Sequence, residues 1–427
     1  MKCAPNHRTL AILVGGGPAP GINGVIHSAT IEAINNGVDV VGILDGFEHL
    51  MQGKMVSRAL SIDDVSRIHL RGGSILRTSR ANPTRSELDL DHCADALIRE
   101  GIDYLLAIGG DDTAYSAYRV ARHAQETRHI AIQVAHVPKT IDNDLPLPDD
   151  IRTFGYETAR ELGTKTVMNL MEEALTGRRW ILVVTMGRKT GHLALGIGKS
   201  AGATVTLIPE EWGDRPIRLQ EVLDILATSI IKRLAEGRDC GVAVIAEGLV
   251  EQMATEDLEG LKNAPRDTHG HIQLSEINFS DILKGELHRT LKEIGINLRL
   301  INKDLGFELR CADPIAFDID YTIGLGEAAV SFLLEGGSNA TITIQRNQVV
   351  PIPFESMMDP RTGRTEVRHV KLDSFIYRSA YKFMIRLKPQ NASDDELLAR
   401  MAAFTNLSPE NFKARYGYLI GLTARPF

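Results

Sequence analysis

Residues 104–148 constrain the fold more than any other stretch. The apolar run Tyr104–Ile108 has the length of a buried strand and is cut off by Gly109-Gly110. Asp111, Asp112 and Thr113 follow at once, and a helical pattern starts at Ala114. That order puts two carboxylates at a helix N-terminus, where unpaired N–H groups favour anionic ligands. A second run, Ile130–Val134, leads into Val137-Pro138-Lys139-Thr140-Ile141-Asp142-Asn143-Asp144. Read as an extended segment, Thr140, Asp142 and Asp144 share one face, with Ile141 and Asn143 on the other. A hydroxyl and two carboxylates converging beside a lysine suit a magnesium ion and proton abstraction. A plain helix cap would explain the double aspartate alone; the second cluster favours chemistry.

The same strand-to-turn-to-helix alternation recurs along the chain. Thr9–Val14 predicts a strand, Gly15-Gly16-Gly17-Pro18-Ala19-Pro20-Gly21 a turn, and Asn23–Asn35 a helix. Small residues let a backbone approach phosphate, and the helix end faces it. The turn lacks both the Gly-Lys-Ser/Thr ending of a P-loop and the spacing of a dinucleotide site. Asp39–Ile43 predicts the next strand, and residues 71–85 form a turn rich in arginine and glycine that includes Arg80. A long helix is expected from about Thr153 to Leu175. A strand follows, entered at Arg179 and left at Met186-Gly187-Arg188, with an arginine at each end to bracket phosphate groups. Further strands are expected at residues 204–210, at 241–248 with Glu247 at its end, and at 340–344. Residues 251–275 predict a polar surface excursion, Asp318–Leu334 a helix, Pro351–Pro360 a linker-like stretch and Asp394–Ala403 a C-terminal helix. Such alternation implies an α/β fold of mainly parallel sheets flanked by helices, with ligands at the carboxyl ends of strands.

At 427 residues the chain is too long for one ordinary core, so two domains are expected. The formal net charge of −7 argues against nucleic acid as the main partner, and no apolar run reaches the length a membrane helix needs. Cys3, Cys93, Cys240 and Cys311 form no metal-spaced pair and fit free thiols in a reducing compartment, here the cytoplasm.

The Gly15–Asn23 turn, Gly-Gly-Asp-Asp-Thr at 109–113 and Pro-Lys-Thr-Ile-Asp-Asn-Asp at 138–144 together resemble the phosphofructokinase family, in the form of its pyrophosphate-dependent branch. Matching segments run from about residue 9 to about residue 350. The resemblance implies two domains with the active site in the cleft between them: residues 1–155 with 312–350 for the phosphoryl donor and magnesium, and 156–311 with 351–427 for the sugar phosphate. It implies magnesium-dependent transfer from pyrophosphate to fructose 6-phosphate by a homodimer or homotetramer. An ATP-dependent enzyme, one acting on another sugar phosphate such as sedoheptulose 7-phosphate, and a non-catalytic regulatory subunit stay open as alternatives.

By the same resemblance Asp142 is the general base, Lys139 and Arg188 act with it in catalysis, and Asp111 and Asp144 hold magnesium. Gly16, Gly17, Arg80, Asp112, Thr113 and Lys139 bind the donor. Thr140, Asp142, Arg179, Met186, Gly187, Arg188, Glu247 and Arg310 bind the sugar phosphate. Phe307 stands where many relatives carry histidine or tyrosine. Asp112 and Lys139 occupy positions commonly glycine in the ATP-using branch.

Overall fold

The computed structural model describes residues 8–259, 278–357, 366–391 and 393–422. The chain divides into two compact units, Met1–Ala159 with Phe307–Arg368, and Arg160–Gly306 with His369–Phe427.

The first unit holds a seven-stranded sheet in the order β11-β10-β5-β4-β1-β2-β3. Its strands are β1 (Thr9–Val14), β2 (Asp39–Ile43), β3 (Ser57–Ala59), β4 (Tyr104–Gly109), β5 (Gln133–Pro138), β10 (Ala340–Gln345) and β11 (Gln348–Pro353). The central pairs β10·β5, β5·β4, β4·β1 and β1·β2 are parallel, and β3 and β11 are antiparallel edges. All six residues of β4 are buried, as a parallel strand covered on both faces requires. On one face Ile12, Val14, Ile26 and Ala329 share a core; on the other Leu13, Leu97, Leu105 and Val120 share another.

Register aligns the ends that matter. Val14 of β1 pairs with Ile108 of β4, and Gly109 of β4 pairs with Pro138 of β5. The glycine turn, the Asp111 turn and the Lys139 loop therefore leave the sheet side by side, at one carboxyl edge.

The second unit holds a four-stranded, wholly parallel sheet, β7-β8-β6-β9: β6 (Trp180–Thr185), β7 (Val205–Leu207), β8 (Gly241–Ala246) and β9 (Leu300–Leu305). Helices Leu219–Ala235 and Phe279–Glu293 cover it, and the C-terminal helices Asp395–Ala402 and Pro409–Tyr416 join the same core through Leu398, Met401, Phe412 and Tyr416. Arg386 is 1% exposed and pairs with Glu211 at 2.7 Å, which fastens the C-terminal segment inside this unit. Burial pushes the Glu211 carboxyl up, and Arg386 opposes that shift.

Three sequence expectations change. The strand expected at Ile130–Val134 is β5, Gln133–Pro138. His129 ends the preceding helix in a left-handed conformation and Ile130 is exposed; pairing with β4, not local apolarity, sets the strand. Pro351 and Pro353, read as linker, lie on β11, where an edge strand tolerates prolines that cannot donate to a ladder; Pro360 lies outside the described residues. Most of the polar stretch 251–275 also lies outside them, beyond the short helix Thr255–Glu259. The units divide after residues 159, 306 and 368 rather than 155, 311 and 350, which puts Phe307–Arg310 with the first sheet.

Candidate active site

In the first unit, the glycine turn is tied down on two sides. Gly15 N–H donates to the Ile108 carbonyl at 2.9 Å and Gly16 N–H to the Ser79 carbonyl at 2.8 Å. The Thr78 hydroxyl returns a bond to the Gly16 carbonyl at 2.6 Å. Gly16 has φ +81°, a conformation that favours glycine. These bonds hold the arginine-rich loop against the turn, with exposed Arg80 directly after Ser79. Asn23, a residue to which the sequence pattern assigned no role, anchors the same loop from helix Ile22–Asn35: its side chain donates to the Arg71 and Gly72 carbonyls and accepts from Ile75 N–H.

Asp111 and Asp112 open helix Asp111–Arg128, which has Gly110 at its N-cap. Carboxylates in a first turn meet the positive end of the helix dipole. Asp111 is half-buried and Asp112 exposed. Thr113 is buried between two glycines: a Cβ at Gly15 or at Gly109 would sit 2.3 Å from its hydroxyl oxygen. Glycine is required at both places by this close approach.

Lys139 joins the turns. It is 5% exposed; its N–H donates to the Gly109 carbonyl at 2.8 Å, and its ammonium donates to the Gly17 carbonyl. His136, two-fold bonded and fully buried, supports the same corner. Its Nε2 meets the Gly109 carbonyl at 2.9 Å and its Nδ1 the Thr341 hydroxyl at 3.0 Å. Burial pushes its pKa down to about 4, so at neutral pH the ring is uncharged, with Nε2 donating and Nδ1 accepting.

The loop after Lys139 is not the extended segment its alternation implied. Asn143 adopts the left-handed region at φ +57°, and the Thr140 hydroxyl oxygen accepts from Asp142 N–H at 3.0 Å. A side chain that bonds its own backbone two residues on makes a turn. Asp142, Asn143 and Asp144 are all buried, at 8%, 3% and 7% exposure, so alternating faces do not describe them. The two aspartates are therefore carboxylates withdrawn from bulk water, while Thr140 is half-buried. Among the described residues no three histidine, cysteine, aspartate or glutamate side chains converge as a metal site. A magnesium ion that takes one or two carboxylates and completes its shell with substrate oxygens and water fits this donor set.

Arg310 closes the short helix Phe307–Arg310. Its guanidinium would lie 3.5 Å from a Cβ built on Gly17. It also stands 5.3 Å from the ring centroid of Phe307, which is 76% exposed. The structure thus places Arg310 at the glycine turn, in the same unit as Thr140 and Asp142.

The remaining sugar-phosphate candidates, Arg179, Met186, Gly187, Arg188 and Glu247, lie in the second unit. At the carboxyl end of β6, Met186 N–H donates to the Leu305 carbonyl at 3.1 Å. One oxygen of Glu247 accepts from Gly187 N–H at 3.1 Å and from Arg188 N–H at 3.0 Å. Glu247 therefore shapes the Met186–Arg188 turn as well as standing at the end of β8. Arg188, at φ +50°, is exposed. Arg179 sits at the other end of β6, bonded to Gly177 and paired with Glu173 at 3.2 Å. Six residues of strand separate its end from that of Arg188 by roughly 20 Å, so the two arginines do not bracket one phosphate within a chain.

Comparison with known proteins bears on these arrangements. Residues 9–333 match the family described as phosphofructokinase. A pyrophosphate–fructose 6-phosphate 1-phosphotransferase from Thermotoga maritima is 50% identical over 413 residues, covering 95% of this chain and 97% of that protein. One of the same description from Naegleria fowleri is 47% identical over 427 residues, covering 97% and 96%. The crystal structure of a pyrophosphate-dependent phosphofructokinase from Nitrosospira multiformis shares the fold, with a TM-score of 0.68 over 89% of this chain and 92% of that one at 16% identity.

Proposed function

The chain belongs to the phosphofructokinase family, and from that premise we propose that it transfers a phosphoryl group reversibly from pyrophosphate to the 1-hydroxyl of fructose 6-phosphate, giving fructose 1,6-bisphosphate and phosphate. The observation that carries this reading is the single carboxyl edge where the glycine turn, Asp111 and the Asp142–Asp144 loop emerge together, with Lys139 bonded to both Gly109 and Gly17.

The sugar O1–H gives its proton to the Asp142 carboxylate as O1 bonds to the donor's phosphorus. The bridging P–O bond breaks and phosphate leaves. Charge spreads over the phosphate oxygens in such a transfer, so catalysis is mostly positioning and electrostatics. Gly16, whose own N–H is taken by the Ser79 carbonyl, shapes the turn that receives the donor, Gly17 offers its backbone N–H, and Lys139, Arg80 and Arg188 supply positive charge. Asp111 and Asp144 would hold magnesium, directly or through water, and the ion when bound would neutralise phosphate charge. Met186, Gly187, Arg188 and Glu247 hold the sugar phosphate. Arg179, at the far end of β6, would serve the site of a second copy of the chain in a homodimer or homotetramer. A cytoplasmic setting is in keeping with the free thiols of Cys93, Cys240 and Cys311. Among the described residues no helix is long and apolar enough to cross a membrane.

The deciding experiment is a set of initial rates with pyrophosphate and with ATP, each against fructose 6-phosphate and sedoheptulose 7-phosphate. The proposal expects pyrophosphate with fructose 6-phosphate to give the highest kcat/KM. A preference for ATP, or for the seven-carbon sugar, overturns it.

A further inference from the structure

We propose that Arg368 is a positioning residue that holds the Asp142–Asp144 loop in its reactive shape. The proposal deepens the phosphotransferase reading and rests on it. Arg368 is the last residue of the first unit and lies far in sequence from every motif of the site. Its backbone N–H donates to the Asp144 carbonyl at 2.8 Å. Its guanidinium reaches the rest of the loop. Nε and Nη2 donate to the Asn143 carbonyl at 3.1 and 2.9 Å, and Nη2 also donates to the Asn143 side-chain oxygen. Nη1 donates to the carbonyls of Leu147, Pro148 and Ile151 at 3.2, 3.0 and 2.8 Å.

One planar fork thus gathers four carbonyls from residues 143–151. The loop needs such a partner, because it forms no helix or strand whose ladder could satisfy those carbonyls. Asn143 is held in a left-handed conformation, and its side-chain oxygen accepts from Thr153 N–H at 3.1 Å as well as from Arg368. The clamp therefore falls on the residue between the two carboxylates and, through the backbone bond, on Asp144 itself. Burial lowers the guanidinium's pKa to about 10, and Asp144 is among the charges that oppose the shift; the group stays cationic at neutral pH. A lysine keeps the charge and loses the fork, which separates electrostatics from geometry.

The test uses full-length Arg368→Lys and Arg368→Ala proteins, with amide hydrogen exchange of residues 142–151 followed beside steady-state kinetics. A displacement of about 1 Å at a reacting group costs on the order of 10²-fold. Turnover in Arg368→Lys is expected to fall by roughly 10- to 100-fold, while both Michaelis constants stay within about threefold. Exchange across 142–151 should quicken in both variants and remain as in the wild type elsewhere. Added guanidinium ion should restore part of the turnover of Arg368→Ala. If the alanine protein does not fold, the lysine variant and its exchange decide. Unchanged turnover, unchanged exchange in the loop, or Michaelis constants that rise with turnover intact would each overturn the proposal. Asp142→Asn measured in parallel separates the two ideas: if it keeps its turnover, the general-base assignment fails, while the exchange data still judge the hold of Arg368 on the loop.

Discussion

Replacing Lys139 with methionine removes one ammonium from a site where it has a defined task. The side chain is 5% exposed and its ammonium donates to the Gly17 carbonyl, so a methionine of similar length fills the space with no charge. A hydrogen bond to a charged group contributes about 1.5–3 kcal/mol, which converts to roughly 10- to 150-fold in an equilibrium or rate constant. Attraction to a phosphate charge some 4 Å away adds up to about 4 kcal/mol at an effective dielectric constant near 20. Part of that is returned by counter-ions and water, so a fall of about 10²- to 10³-fold in kcat/KM for pyrophosphate is expected. The effect should be selective. With the other substrate saturating, the Michaelis constant for pyrophosphate should rise well above that for fructose 6-phosphate, because Lys139 holds the donor turn. The assay is the coupled formation of fructose 1,6-bisphosphate, with each substrate varied in turn. A kcat/KM for pyrophosphate within threefold of the wild type, or equal changes for both substrates, would refute the reasoning.

Further outcomes follow from other residues. Asp142→Asn preserves shape and removes the proton acceptor, so turnover should fall by about 10²–10⁴-fold with modest change in sugar affinity; steady-state rates check this. Asp112→Gly should raise the ratio of kcat/KM for ATP to that for pyrophosphate, since bulk and like charge both oppose a nucleotide there; an unchanged ratio removes Asp112 from donor choice. Arg310→Ala is expected to raise the Michaelis constant for fructose 6-phosphate more than that for pyrophosphate, and the reverse order would assign Arg310, which lies against Gly17, to the donor. Gly109→Ala drives a Cβ to 2.3 Å from the Thr113 hydroxyl, an overpacking that should cost about 1–3 kcal/mol; a lower urea midpoint, partly restored by adding Thr113→Ala, is the expected result. His136 has a folded pKa near 4 against 6.5 for an ordinary histidine. Between those values the unfolded chain binds more protons, so stability should fall by about 3 kcal/mol as pH drops from 6.5 to 4. His136→Asn should flatten that part of the curve of urea midpoint against pH.

The sequence by itself determined the α/β class, the ends of β1 and β2, and the placing of the Gly15 turn, Asp111 and Lys139 after strands. These follow from local physics: a short apolar run closed by glycine and followed by a helical period has few other solutions. Three features depended on contacts that no local pattern records. Pairing with β4 moved β5 three residues along the chain. The left-handed Asn143 and the Thr140 bond to Asp142 turned an expected extended face into a buried loop. The division of the chain put Arg310 with the glycine turn. The supports of the site were also silent in the sequence. Asn23, His136 and Arg368 are ordinary polar residues in one dimension. Asp318 is another, a fully buried carboxylate that accepts from Gly155 and Thr158 N–H at 2.8 Å and so caps a helix of which it is no part. Each bonds backbone groups that lie from 27 to more than 200 positions away. A buried carbonyl or N–H must be satisfied by whatever donor or acceptor the fold brings to it, and that choice is made only once the chain has closed on itself.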